Sequence, residues 1–154
     1  MKSIETWLEE YGVSHQNPTN KLIHWICVPL IFFSIVGFFY SIKLPVEIAA
    51  GLPLNLALLM LVAVTVYYFL LSKTLALGML LFSLVCAAGC YVIETAGLTL
   101  WIVCASIFVL AWVGQFYGHN VEGKKPSFLK DLQYLMIGPA WLMSFVYRKL
   151  GISL

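Results

Sequence analysis

Four apolar runs dominate the sequence, and each is close to the length that crosses a membrane. They cover residues 22–40, 52–71, 74–93 and 98–118, and about 20 helical residues span the hydrocarbon core of a bilayer. Hydrophobic residues make up 62% of the chain and charged residues only 10%, against roughly 45–50% and about 25% in soluble domains. We therefore predict an all-α integral membrane bundle of about four transmembrane helices, with residues 1–154 forming a single domain.

Two further helices are predicted at the ends of the chain. Apolar residues recur at helical spacing from Ile4 to Tyr11, and Ser3 before them is a good N-cap. This pattern predicts an N-terminal amphipathic helix that lies on the membrane. Segment 132–147 is apolar, but it is about 16 residues long and a Gly-Pro pair interrupts it, so we expect a C-terminal interfacial or half-inserted helix.

Charge predicts the orientation and the partners. Four crossings place both termini on one side, and that side holds every lysine and arginine except Lys43. The positive-inside rule then predicts cytoplasmic termini, in the inner membrane of a bacterium or the endoplasmic reticulum of a eukaryote. The net charge of +2 is too small to suggest nucleic acid. The lipid bilayer is the expected surrounding.

The three histidines of the chain all fall at the predicted cytoplasmic face. On one continuous helix His15 and His24 would point about 180° apart. Asn17 can cap a helix with Pro18 at its first position, however, and a turn there would bring His15 back beside His24. A plainer interpretation stays open, in which each histidine caps a helix end independently.

A second polar group ends the fourth run. Gln115, His119 and Glu122 lie within about 60° of one another on a helix surface, and Asn20 shares a face with His24. If the first and fourth runs are neighbours, three imidazoles and one carboxylate meet. Such a set suits a transition metal and is typical of non-haem Fe(II) oxygenases, although zinc is chemically possible.

Small residues near this group favour helix packing. Gly114 and Gly118 are four residues apart on a different face from the polar stripe. This small-xxx-small pattern lets another helix approach closely. It permits a homodimer without requiring one.

The polar segments resemble the two signature blocks of a known family. The first block is HQNPTNKLIH at 15–24, and the second is QFYGH at 115–119 followed by EGKKP at 122–126. Both are similar to the Mpo-like family of 2-hydroxy fatty acid dioxygenases, formerly catalogued as a domain of unknown function. The resemblance runs along nearly the whole chain.

This resemblance implies an Fe(II)-dependent enzyme of fatty acid α-oxidation, which uses O₂ to shorten a 2-hydroxy fatty acid by one carbon. The matching histidines are His15, His24 and His119, and Glu122 is the candidate carboxylate ligand. The residues expected to bind the substrate or to orient the ligands are Asn17, Asn20, Lys21, Gln115 and Lys124. Two alternatives stay open: a non-catalytic membrane scaffold or lipid-binding protein, and a membrane enzyme that uses another metal.

Overall fold

Helices form most of this protein, for which a computed structural model describes residues 2–123 and 134–154. Within those ranges there are six helices and one two-stranded hairpin. In chain order the elements are α1 (Ile4–Gly12), α2 (Pro18–Tyr40), β1 (Lys43–Ala49), β2 (Leu52–Asn55), α3 (Leu56–Leu71), α4 (Lys73–Thr95), α5 (Leu100–Val121) and α6 (Ile137–Lys149). The predicted helical membrane-protein fold is confirmed.

Three helices in the described ranges, α2, α4 and α5, are long and apolar enough to cross a membrane, with 22 or 23 residues each. The second predicted span, 52–71, is a helix over only 16 residues, or about 24 Å at 1.5 Å per residue. Its first four residues form β2 instead, which pairs with β1 in an antiparallel hairpin. Pro53 lies there and has no backbone N–H to donate. The sequence prediction missed this hairpin.

The bundle is built on the contact between α2 and α5, and α3 packs along α4. A methyl group added to Gly114 of α5 would approach Sγ of Cys27 in α2 to 2.7 Å, and one added to Gly118 would collide with Oδ1 of Asn20. The predicted close approach at these glycines is therefore confirmed, but the partner is α2 of the same chain. A homodimer stays a prediction, and it cannot use this face.

The N-terminal helix forms as predicted. Oγ of Ser3 accepts a hydrogen bond from the backbone N–H of Thr6 at 3.3 Å. The buried side chains of α1 are Ile4, Leu8 and Tyr11, and they join a core cluster with residues of α6. Contact with α6, and not with lipid alone, holds this helix.

The C-terminal helix begins later than the sequence suggested. Gly138 and Pro139 do not interrupt α6 but lie in its first turn, where proline is tolerated because the first N–H groups have no helical partner. At 13 residues α6 is too short to cross a bilayer. The Tyr147 hydroxyl donates to Thr74 O at 2.7 Å, and the Tyr68 hydroxyl donates to Met136 O. Both chain ends thus lie at one end of the bundle. That this end faces the cytoplasm stays a prediction.

Replacing Gly114 with alanine should weaken the contact between α2 and α5, because the new methyl group must displace Sγ of Cys27. Overpacking of this kind costs about 1–3 kcal/mol, and the free energy of unfolding should fall by that amount. Titration of the micelle-bound protein with SDS, followed by circular dichroism, measures the change. Gly12→Ala is the matched control, since its methyl group would meet Trp141 at an ordinary 3.4 Å. Equal stabilities would contradict this packing.

Candidate metal site

The three histidines converge at the end of the bundle where the chain termini lie. Their side chains are buried, with His15 2%, His24 0% and His119 5% exposed. One ring nitrogen from each lies within 4.8 Å of the other two. Ring centroids are 4.2 Å apart for His15 and His24, 5.4 Å for His15 and His119, and 5.1 Å for His24 and His119.

A capped turn between α1 and α2 brings the first two histidines together. His15 lies in that turn, and its backbone N–H donates to Gly12 O at 3.0 Å. Oδ1 of Asn17 then accepts hydrogen bonds from the N–H groups of Thr19 and Asn20 at 2.9 and 3.4 Å. Since Asn17 ends the turn and starts α2, the chain folds back and His15 meets His24, as the sequence predicted.

Backbone carbonyls define the tautomers of this pair. Nδ1 of His15 lies 2.6 Å from Tyr11 O, and Nδ1 of His24 lies 2.9 Å from Asn20 O. A carbonyl oxygen can only accept, so Nδ1 carries the hydrogen in both rings. Each imidazole is thereby oriented, and its Nε2 is the atom that turns toward the cluster.

The Nε2 atoms of His15 and His24 lie 2.9 Å apart. Two neutral rings with hydrogen on Nδ1 would direct their lone pairs at each other, and a shared cation, either a proton or a metal ion, would relieve that repulsion. Metal–nitrogen bonds of about 2.1 Å place neighbouring ligand atoms roughly 3 Å apart. Imidazole nitrogen suits iron, zinc, copper and nickel. The residues present therefore fit a transition metal.

Aromatic side chains that the sequence analysis did not single out enclose His15. The ring of Tyr11 stacks on it with centroids 4.2 Å apart and an angle of 12°, and Trp141 of α6 lies against it at 5.3 Å. The four-residue spacing of Tyr11 and His15 could have indicated the first contact. No pattern in the sequence connects Trp141 with a residue 126 positions earlier.

Glu122 lies outside the histidine cluster. Its Oε1 accepts from the N–H of Gln16 at 2.9 Å, and its Oε2 accepts from the N–H of Asn17 at 2.8 Å and from Nδ2 of Asn20 at 3.0 Å. The unpaired N–H groups at the start of a helix attract a carboxylate. Both oxygens are thus engaged with the turn before α2, which is not the position of the predicted metal ligand.

The ionisation of Glu122 follows from these contacts. Burial raises the pKa of its carboxyl, but the hydrogen bonds from Asn17, Asn20 and Gln16 and the proximity of His15 outweigh that effect and lower the pKa below its ordinary value. Glu122 is therefore a carboxylate at neutral pH, and it links the end of α5 to the turn that carries His15.

The other predicted site residues lie around this link. Asn20 is fully buried, and its Nδ2 also donates to Ser14 O at 3.3 Å. Gln115 is buried one turn before His119. Lys21 is half-buried beside the cluster. Lys124 lies outside the described residues.

Two cavities lie close to the histidine cluster. An open cleft of about 330 Å³ reaches His15 from the outside, and its charged lining residues are Glu5, Glu9, Lys21 and Arg148. A cavity of about 30 Å³ lies on the inner side and is lined by Tyr11, Gln115 and apolar side chains. His15 thus borders a charged outer cleft, and Tyr11, which stacks on it, borders the small cavity.

Comparisons with known proteins identify a matching family and a similar yeast protein. Residues 1–150 match a family model described as 2-hydroxy-palmitic acid dioxygenase Mpo1-like. The chain is also 30% identical over 150 residues to a Saccharomyces cerevisiae protein named 2-hydroxy-palmitic acid dioxygenase MPO1, with 96% of this chain and 82% of the yeast protein covered. No solved structure matches the chain.

Glu122→Gln should destabilise the fold and weaken metal binding. The amide presents hydrogen atoms where three N–H donors need an acceptor, at a cost of about 1–3 kcal/mol, and loss of a group that orients metal ligands typically lowers affinity about 10–100-fold. Unfolding and metal titrations in detergent measure both effects. Glu94→Gln is the control, because it removes only the partly exposed pair with Lys43, worth about 1 kcal/mol or less.

The destabilisation by Glu122→Gln should also depend on pH. Because folding lowers the pKa of Glu122, its contribution is complete above the ordinary glutamate pKa of about 4.3 and is lost as the pH falls through the lower folded value. The difference in unfolding free energy between wild type and variant should shrink below about pH 4. A difference that grows on acidification would contradict this assignment.

Proposed function

Because this chain belongs to the Mpo1-like family, we propose that it is a membrane enzyme that uses O₂ to oxidise 2-hydroxy fatty acids at its histidine cluster. The observation that carries the proposal is the burial of His15, His24 and His119 around one point. The chain has only these three histidines. Any imidazole ligand to a metal must therefore come from this cluster.

We propose Fe(II) as the metal, held by the three imidazoles. Three protein ligands leave coordination positions open, as in non-haem Fe(II) oxygenases. Bound iron would supply the binding and activation of O₂. The carboxylate and 2-hydroxyl oxygens of the substrate are the groups that suit the remaining positions, since the carboxylate of Glu122 is engaged elsewhere.

The surrounding residues prepare the cluster for this chemistry. The carbonyls of Tyr11 and Asn20 accept hydrogen bonds from Nδ1–H of His15 and His24. These bonds fix the orientation of each ring and make its Nε2 a more basic metal ligand. Tyr11 and Trp141 cover His15 and exclude water from that side. Asn17 holds the turn through its cap. These residues act by positioning the ligands.

Charged residues of the outer cleft provide a path for an acid. Lys21 lines that cleft together with His15, and its ammonium group would neutralise the carboxylate of an arriving substrate. Lys124 was predicted to share this role and stays a candidate. The acyl tail is apolar, so the substrate would reach the site from the bilayer, at the end of the bundle that we expect to face the cytoplasm.

The reaction balances without a further reductant. A 2-hydroxy acid, R–CH(OH)–COOH, and one O₂ contain the atoms of R–COOH, CO₂ and H₂O. The bond between the carboxyl carbon and the α-carbon breaks, the α-carbon is oxidised to a new carboxyl group, and O₂ is reduced. The product is a fatty acid one carbon shorter.

His119→Ala should abolish both bound iron and turnover, because it removes one of three ligands. Protein purified in detergent is loaded anaerobically with Fe(II), assayed for metal, and then given O₂ and 2-hydroxyhexadecanoic acid. Mass spectrometry detects the shortened acid. Asn120→Ala is the matched control, since Asn120 is the exposed neighbour on the same helix and should keep both properties.

The same assay distinguishes the alternatives. A wild-type protein that binds zinc but gives no product with Fe(II) would favour an enzyme with another metal. One that binds no metal would favour a scaffold or lipid-binding protein. An active, iron-free His119→Ala variant would overturn the assignment of His119.

A further inference from the structure

A third cavity lies inside the membrane-crossing part of the bundle. It has a volume of about 220 Å³ and lies between α2, which contributes Val36 and Phe39, and α3, which contributes Met60 and Val64. Leu135, just before α6, closes one side. Within the described part of the chain, every side chain that lines it is apolar. Such a space suits an alkyl group and not a polar ligand.

The small inner cavity shares a lining residue with this space and borders Tyr11, which stacks on His15. Leu135 lines both cavities. The small cavity is also lined by Tyr11, whose ring stacks on His15, and by Gln115, one turn before His119. Leu135 thus lies between the two cavities, and an alkyl chain that passes from one to the other must displace its side chain.

The length of this path matches a long acyl chain. Val36 is 12 residues beyond His24 on α2, or about 18 Å at 1.5 Å per residue. An extended chain advances about 1.2 Å per bond, as a backbone does, so roughly 15 bonds cover this distance. An eight-carbon chain would end near the level of Ile31, before the large cavity begins.

We propose that the cavity between α2 and α3 holds the distal half of the substrate's acyl chain and sets the preferred chain length. This inference rests on the proposed function, which places the carboxyl end at the histidines. The lining residue Leu135, which it shares with the small cavity beside Tyr11, favours it over the apolar surface groove lined by Trp25, Pro29 and Met143. That groove shares no lining residue with either the small cavity or the histidine cluster.

Val64→Trp tests the proposal by filling the cavity. Turnover of 2-hydroxyhexadecanoic acid should fall about tenfold or more, because two to three methylene groups that lose apolar contact account for a factor of that size. Turnover of 2-hydroxyoctanoic acid should not change. Val66→Trp is the matched control, because Val66 lies on the same helix and is 53% exposed; it should leave the ratio of the two rates at the wild-type value.

A variant that enlarges the cavity tests the proposal if Val64→Trp does not fold. Met60→Ala enlarges the cavity, so the rate with a 20-carbon 2-hydroxy acid should rise relative to the 16-carbon acid. If Val64→Trp binds iron normally and keeps the wild-type ratio of rates, the proposal is wrong. An unchanged preference in Met60→Ala would overturn it equally.

Photolabelling separates this proposal from the proposed reaction. A 2-hydroxyhexadecanoic acid with a diazirine at its last carbon is bound to the wild-type protein and irradiated, and the labelled residues are found by mass spectrometry. We expect label on Phe39 and Met60. Such label in a protein that turns over no acid would sustain the acyl site and refute the reaction. Label on Trp25 and Met143, or on lipid-facing Val62 and Val66, would refute the acyl site even if turnover is normal.

Discussion

The close contact between α2 and α5 is the constraint on which the rest of this structure depends. His24 and His119 lie on these two helices, and they meet only because Gly114 and Gly118 let the backbones approach. Glu122 then fixes the register at the end of the contact, since it joins the last turn of α5 to the turn before α2. His15 is carried into the cluster by that same turn. The packing of α2 against α5 therefore also determines where the three histidines lie.

The polar groups buried at this end of the bundle explain why it is suited to a cation. Buried polar atoms are costly unless they are paired, and here carbonyls accept from Nδ1 of His15 and His24. Their Nε2 atoms lie 2.9 Å apart, and a cation shared between them would stabilise that spacing. Charged residues lie outside the cluster and apolar cavities inside. This asymmetry matches an amphiphilic acid with its carboxyl group at the histidines.

Much of this arrangement could be predicted from local patterns. Apolar runs of about 20 residues indicate spans, and Asn17-Pro18 indicates the reversal that joins His15 to His24. The two strands were not predicted, because Leu52 and its neighbours continue an apolar run. A hairpin depends on pairing between strands, which composition does not reveal. Glu122 was predicted as a metal ligand because helical spacing indicates where its side chain points. The spacing does not reveal that the backbone N–H groups of Gln16 and Asn17 bind its carboxylate. Trp141 meets His15 through tertiary packing alone.

X-ray absorption at the iron K edge of the Fe(II)-loaded protein tests whether the three histidines hold the metal. We expect scattering from about three imidazoles per iron, the remaining directly bound ligands being oxygen. Addition of a 2-hydroxy fatty acid should change the oxygen ligands and leave the imidazole signal as it was. Iron surrounded by oxygen alone, or by sulfur from the cysteines, would contradict it.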